Sequence, residues 1–192
     1  SLALEHLKDL TGLPGSTHKR VDLADNEVRR LERLLDDILL YAKPLTLSRR
    51  SLDIDELIAD VIGGMGQDSA PIVFRSDPCP AVSADPDRIR QVLINLLRNA
   101  QQASPTGASV QVRCQPSNGH RVEVEIQNGG EPIPEQTLAR IFEPFFTSKP
   151  GGTGLGLPIV QRIVDAHGGQ ITLESDTQNG TRALLTLPVI SD

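Results

Sequence analysis

Four glycines fall within Gly151-Gly152-Thr153-Gly154-Leu155-Gly156, directly ahead of an apolar run with helical period. This junction constrains the chain more than any other stretch. Glycine removes the side chain where the backbone must approach another group, and it opens left-handed conformations. A helix is predicted over residues 155–167, so its N-terminal N–H groups and the positive end of its dipole face the same place as the loop. Gly152, Gly154 and Gly156 thus form a candidate phosphate cradle. The spacing is neither the dinucleotide fingerprint nor the GxxxxGK[ST] loop, and a flexible surface loop has the same composition.

Around this junction, helices and hairpins alternate. Residues 55–65 have a helical pattern, and 72–76 and 81–84 read as short strands around the turn-rich Asp77-Pro78-Cys79-Pro80. Asp85 caps a long helix, with Pro86 at its first position and Asp87 in its first turn. Ile89, Val92, Leu93, Leu96, Leu97, Ala100 and Ala103 form the expected buried stripe of that helix. Residues 110–114 and 122–126 alternate as two strands joined by a turn at 116–119. Residues 134–142 read as a short helix, and 171–174 and 182–187 as closing strands. Without strict βαβ repetition, this order predicts an α+β fold, a two-layer α/β sandwich on a largely antiparallel sheet.

The first 44 residues differ in character. Val21, Ala24, Val28, Leu31, Leu35, Ile38 and Ala42 recur at alternating spacings of three and four, a heptad seam that Leu34 and Leu39 widen. Leu2, Leu7 and Leu10 carry a shorter helical pattern, and residues 12–17 have the composition of a turn. The expectation is a truncated helical hairpin over 1–44, a linker over 45–50 and a second domain over 51–192. One and a half helices cannot enclose a core, so the seam calls for a second copy of the chain, a homodimer. Packing of the helix on its own domain is the alternative.

Composition removes several function classes. With a formal net charge of −6, and Arg29, Arg30, Arg33, Arg49 and Arg50 dispersed among acids, the chain lacks the basic patch of a phosphate-backbone binder. No Trp, one Tyr and four Phe leave little for base stacking, so no nucleic-acid partner is expected. Cys79 and Cys114 have neither metal-site spacing nor a disulfide framework, and are expected as ordinary reduced thiols of a cytoplasmic chain. No apolar run approaches the ~20 residues of a membrane helix. The chain starts at Ser1 and reads as a fragment, so membrane contact is expected only through upstream regions.

Two further stretches can carry chemistry. Asn95 and Asn99 lie one turn apart on the capped helix, off its buried stripe. A neutral amide oxygen helps to hold Mg²⁺ without adding negative charge beside a polyphosphate; two solvent-facing amides are the plain alternative. Asn128 follows a strand in Ile126-Gln127-Asn128-Gly129-Gly130-Glu131-Pro132. Its carboxamide can offer an oxygen to the exocyclic amine of adenine and an NH₂ to a ring nitrogen, although an ordinary turn has the same local look.

In order, Asn95-Leu96-Leu97-Arg98-Asn99-Ala100, Asn128-Gly129-Gly130, Phe142-Glu143-Pro144-Phe145-Phe146 and the glycine loop resemble the N, G1, F and G2 boxes of sensor histidine kinases. These belong to the Bergerat-fold ATPases, and the resemblance covers nearly all of residues 51–192. Gly180-Thr181 is similar to the terminal glycine box. Leu39-Leu40-Tyr41-Ala42-Lys43-Pro44 resembles the end of the second dimerisation helix. Gln101-Gln102-Ala103 and Phe145-Phe146-Thr147-Ser148-Lys149 point to the nitrogen-regulation-type subfamily.

The resemblance implies ATP and Mg²⁺ as ligands, with Asn99 as principal Mg²⁺ ligand and Asn95 beside it. Gln102 would join the nucleotide site, Asn128 would take the adenine and Gly130 would lie against it. Gly152, Thr153, Gly154, Leu155, Gly156 and Leu157 would line the triphosphate, with Thr181 supporting the adenine pocket. Lys149 is either a phosphate contact or a solvated lysine, and Phe142, Phe145 and Phe146 either core or a hinge that seats the loop. Asn128 stands where the family usually has Asp, and Pro132 where it has a second glycine.

A kinase of this family phosphorylates a His followed by an acidic residue and, a few positions on, Asn or Thr and Pro. His6, His18, His120 and His167 all lack that context. The acceptor is therefore expected upstream of Ser1, and a response-regulator receiver domain is the expected final acceptor. Another Bergerat-fold ATPase, such as an anti-sigma serine kinase, and a degenerate dimerisation module are the competing readings.

Overall fold

The computed structural model describes residues 15–66, 70–118, 120–149 and 152–190. The chain divides into two compact units, Ser1–Lys43 and Pro44–Asp192.

In the first unit, helix α1 spans Gly15–Ala42. Of its heptad positions, Leu31 and Leu35 are each 56% exposed and Ile38 is 39% exposed, whereas Val21 and Val28 are half-buried. Gly15, Ser16 and Thr17, expected within a turn, are already helical. Gly, Ser and Thr are common at helix starts as well as in turns, so composition alone misplaces such a boundary. The helical pattern over 1–10, with His6, lies outside the described residues, as do the surroundings of the His18 side chain.

The second unit is a sandwich of one sheet and one helical layer. Its elements are β1 (Arg50–Leu52), α2 (Ile54–Gly64), β2 (Ile72–Ser76), β3 (Val82–Ala84), α3 (Pro86–Ala103), β4 (Val110–Ser117), β5 (Arg121–Asn128), α4 (Glu135–Leu138), α5 (Gly156–Ala166), β6 (Gln170–Asp176) and β7 (Gly180–Pro188). Five strands run β2-β4-β5-β7-β6, and β1 pairs separately with β3. Only β2 and β4 are parallel, because α3 carries the chain across between them; the other pairs are antiparallel. This is the two-layer α/β architecture of the Bergerat ATP-binding fold.

Strand alternation sends Val110, Val112, Val122, Val124, Leu185 and Leu187 inward, each at most 2% exposed. They meet the apolar stripes of α2, α3 and α5, all buried, so the aliphatic core needs no aromatic ring. Asp53 and Asp85 cap α2 and α3 by accepting from the first free N–H groups of each helix, with Pro86 at the first position of α3.

Several local expectations change. Ala103 is exposed rather than buried, because it sits in the last turn of α3 beyond the edge of the helical layer. The helix expected over 134–142 stops at Leu138. From there Arg140, Glu143 and Phe146 each donate their N–H to the carbonyl three residues back, tighter turns that suit the approach to Pro144. Pro116 lies inside β4, not in the turn. Past Cys114, β4 has a strand partner on one side only, so a missing N–H costs no ladder bond. Strand β1 begins at Arg50, the last residue of the expected linker, and continues to Leu52.

Candidate functional site

The C-terminal half of α3 carries three of the candidate residues. Asn95 and Asn99 are half-buried there, one turn apart, and Gln102 is exposed. Lys149, from the segment after α4, donates its Nζ to Asn99 Oδ1 and to Gln102 Oε1, both at 3.0 Å. Two neutral acceptors hold this ammonium without a carboxylate, and burial lowers its pKa from the ordinary lysine value. Thr147 Oγ1 accepts from Lys149 N–H at 3.1 Å and fixes the backbone that presents it.

The loop closes at its base through two residues in left-handed backbone. Phe145 (φ 66°) donates its N–H to the carbonyl of Gly154 (φ 67°) at 3.0 Å. A Cβ on Gly154 would strike the Phe145 backbone, and one on Gly152 would stand 2.6 Å from Thr147 Oγ1. Phe145 is 63% exposed, so the core-packing alternative fails for that ring. The Arg140 guanidinium lies over the Phe146 ring, 4.4 Å from its centre. Beyond Gly154, Thr153 Oγ1 accepts from Leu155 N–H at 3.3 Å, and α5 begins at Gly156 with no side-chain cap. Where α2 and α3 have a capping carboxylate, the residue at this position of α5 is Leu155, which has no capping side chain. Gly156 and Leu157 are half-buried in this first turn.

The end of β5 carries another candidate. Asn128 is 5% exposed and donates Nδ2 to the Gly129 carbonyl at 2.9 Å. Across the ladder its partner is Thr181. Gly180 (φ 73°) must be glycine, since a Cβ would collide with the Asn128 carbonyl. Gly130 (φ 147°) packs so closely on the end of α3 that a Cβ would strike the Ala103 carbonyl. Ser175 was not expected in the site. Its Oγ lies 2.8 Å from Thr181 Oγ1 and accepts from Ile133 N–H at 2.9 Å, joining β6, β7 and the loop after Asn128. A serine on a strand carries no local signal of such a role.

At the far end of α5 stands a second polar cluster. His167 is fully buried, its Nδ1 2.7 Å from the Ile163 carbonyl and its Nε2 accepting from Asp85 N–H at 3.0 Å. The neutral tautomer with the proton on Nδ1 satisfies both contacts. Burial lowers its pKa below the ordinary histidine value, Arg49 adding to the shift while the Ile163 carbonyl and Asp85 oppose it. Asp85 accepts from Ser48 N–H at 2.8 Å besides capping α3. Burial pushes its carboxyl up, but the N–H groups of Ser48, Arg88 and Asp87 outweigh that and leave it below the usual range. Arg49 donates to the Ala166 carbonyl at 2.5 Å. His120, by contrast, occupies a hairpin turn in left-handed backbone (φ 61°).

Residues 84–191, more than half of the chain, match the model of the histidine kinase-, DNA gyrase B- and HSP90-like ATPases. The chain belongs to this ATPase family. Within it, the similarity runs to sensor histidine kinases. The sensor histidine kinase ZraS of Escherichia coli (strain K12) is 37% identical over 180 residues, which cover 91% of this chain and 38% of that protein. Sporulation kinase C of Bacillus subtilis (strain 168) is 30% identical over 178 residues, 89% of this chain and 41% of that one. The chain thus spans about two fifths of the curated relatives it matches. Among solved structures, full-length ShkA in complex with AMPPNP superposes with a TM-score of 0.83 at 26% identity, over 99% of this chain and 42% of that one. Histidine kinase ThkA in complex with the response regulator protein TrrA gives 0.75 at 30%, over 98% and 56%. Among the described residues, no helix is long and apolar enough to cross a membrane.

Proposed function

We propose that this chain is the ATP-binding catalytic portion of a sensor histidine kinase. It would transfer the γ-phosphoryl group of ATP to a histidine N-terminal to Ser1, and thence to an aspartate of a response-regulator receiver domain. The observation that carries this reading is the Lys149 ammonium held on Asn99 and Gln102. It joins the glycine loop to the amide-bearing helix, beside a helix N-terminus without a side-chain cap. Such a site neutralises and positions a polyphosphate, which is most of what phosphoryl transfer asks of a protein.

The donor set fits the ligands. Asn128 has its Nδ2 on Gly129, leaving the carboxamide oxygen to accept from the exocyclic amine of adenine. Gly130 would admit the base, with Thr181 behind it. Gly152, Thr153, Gly154, Leu155, Gly156 and Leu157 would line the phosphates with backbone and open donors. Asn99 and Asn95 would hold Mg²⁺ through neutral oxygens, where the ion neutralises phosphate charge. Lys149 would then move from the amides to a phosphate. The exposed seam of α1, led by Leu31, Leu35 and Ile38, would pair with a second copy of the chain. Residues 1–44 would thus be the dimerisation arm, 45–50 a linker and 51–192 the catalytic domain of a kinase acting in the cytoplasm.

Titration of this chain with a fluorescent ATP analogue, with and without Mg²⁺, tests the reading. Asn128→Ala should weaken nucleotide binding roughly tenfold or more, the scale of one lost buried amide pair. Unchanged affinity would remove Asn128 from the site, and no binding by the parent chain would favour a dimerisation scaffold.

A further inference from the structure

Three donor groups meet at the end of the sheet away from Asn128. Cys114 of β4 is fully buried, Cys79 in the β2–β3 connection is half-buried, and their sulfurs stand 3.2 Å apart. Asp55, in the first turn of α2, completes the group: one ligand atom from each of the three lies within 4.8 Å of the others. Asp55 Oδ1 is buried with no hydrogen-bond partner among the described residues. The Asp55 carboxylate interacts with the Cys114 thiol, yet its buried Oδ1 has no hydrogen bond of ordinary geometry, and a cation would satisfy the carboxylate and both sulfurs together.

We propose that Asp55, Cys79 and Cys114 form a site for a thiophilic divalent cation of the Zn²⁺ class. Binding would exchange the two thiol protons for two metal–sulfur bonds, with the carboxylate as third ligand and water from the exposed side of Cys79 as fourth. Tetrahedral Zn²⁺ with metal–sulfur bonds of ~2.3 Å holds two sulfurs about 3.8 Å apart. The pair must therefore open by roughly half an ångström, whereas a disulfide at ~2.05 Å requires more than an ångström of closure.

The positions are also fixed before any metal arrives. Pro78 and Pro80 restrict the backbone on either side of Cys79. Asp77 N–H donates to the Cys114 carbonyl at 2.9 Å, extending the β2–β4 pairing that places Ser76 opposite Cys114. Asp53 Oδ1 accepts from Asp55 N–H at 2.9 Å, holding the turn that presents the carboxylate. The group lies outside the nucleotide site, so its occupation and that of the nucleotide site are separable.

The test is titration of the reduced chain with Co²⁺, read by near-ultraviolet thiolate-to-metal charge transfer and then by displacement with Zn²⁺. One equivalent with a thiolate band is expected. Cys79→Ser and Asp55→Asn, each checked for folding by circular dichroism, should weaken Co²⁺ binding by at least about 100-fold, since removal of a mere outer partner already costs up to that much. A missing charge-transfer band, or a band unchanged in Cys79→Ser, overturns the proposal. So does the combination of no metal binding with ready coupling of the two sulfurs by diamide, which makes the pair a redox couple instead.

Discussion

Helix α5 has two ends built on opposite terms. Its N-terminus lacks a side-chain cap and follows Gly154, where a Cβ would strike the Phe145 backbone. At its C-terminus, His167 is fully buried, with one ring nitrogen toward Ile163 and the other accepting from Asp85, which in turn holds Ser48. On the proposed reading the first end serves a ligand; the second meets its needs within the chain. Polar groups left open in a fold are therefore a better guide to ligand binding than polar groups as such. Among the described residues His167 is the most buried of the polar side chains, and its contacts lie within the fold.

Substitutions at the two ends should separate stability from binding. The largest effect is expected from His167→Leu, which orphans the buried N–H of Asp85 and should cost about 3 kcal/mol in denaturant unfolding. Nucleotide affinity of the folded fraction should stay within about twofold, a change too small to matter energetically. A large loss of affinity would break the comparison. The same histidine sets a pH dependence. Its folded pKa is lowered, so its contribution is complete above the unfolded value near ~6.5 and is lost as pH falls through the folded one. Stability should decline below about pH 6.5 by at most about 1.4 kcal/mol per unit, and the slope should vanish in His167→Leu.

Asp85→Ala comes next. It removes the α3 cap and the acceptor of Ser48, for about 2 kcal/mol of stability. At the open end the pattern should invert: Lys149→Ala should leave unfolding almost unchanged yet weaken nucleotide binding about tenfold, or ~1.4 kcal/mol. Equal loss of both would make Lys149 a structural tie between loop and helix. The smallest effect belongs to Arg182, which bridges Glu125 and Glu174 on the outer face of the sheet at 3.2 and 2.5 Å. Being exposed, it should cost no more than about 0.5 kcal/mol as Arg182→Met.

What the sequence made legible was local. The Asp85-Pro86 start of α3, the apolar stripes and the alternation of β4 and β5 all lie within one turn or one hairpin, where period and capping chemistry speak directly. The ordered boxes likewise carry the resemblance on which Asn99, Asn128 and the glycine loop are proposed as site residues. Illegible were relations set by register across the fold. Lys149 reaches Asn99 across 50 residues and Ser175 meets Thr181 only through the β6–β7 pairing. Cys79 and Cys114, dismissed on spacing, become neighbours because β2 lies parallel to β4. Strand β1 was missed because three residues show no period, and it exists only through β3.

Strand β2 is last in the order of its sheet, and among the described residues no strand lies on its outer side. Such an edge can template the backbone of another molecule and begin aggregation. Here it is only five residues long and carries Arg75, with Pro71 directly before it and Pro78 two positions beyond its end. Proline cannot donate to a ladder. An incoming strand therefore finds a short, charged edge closed off by proline at both ends.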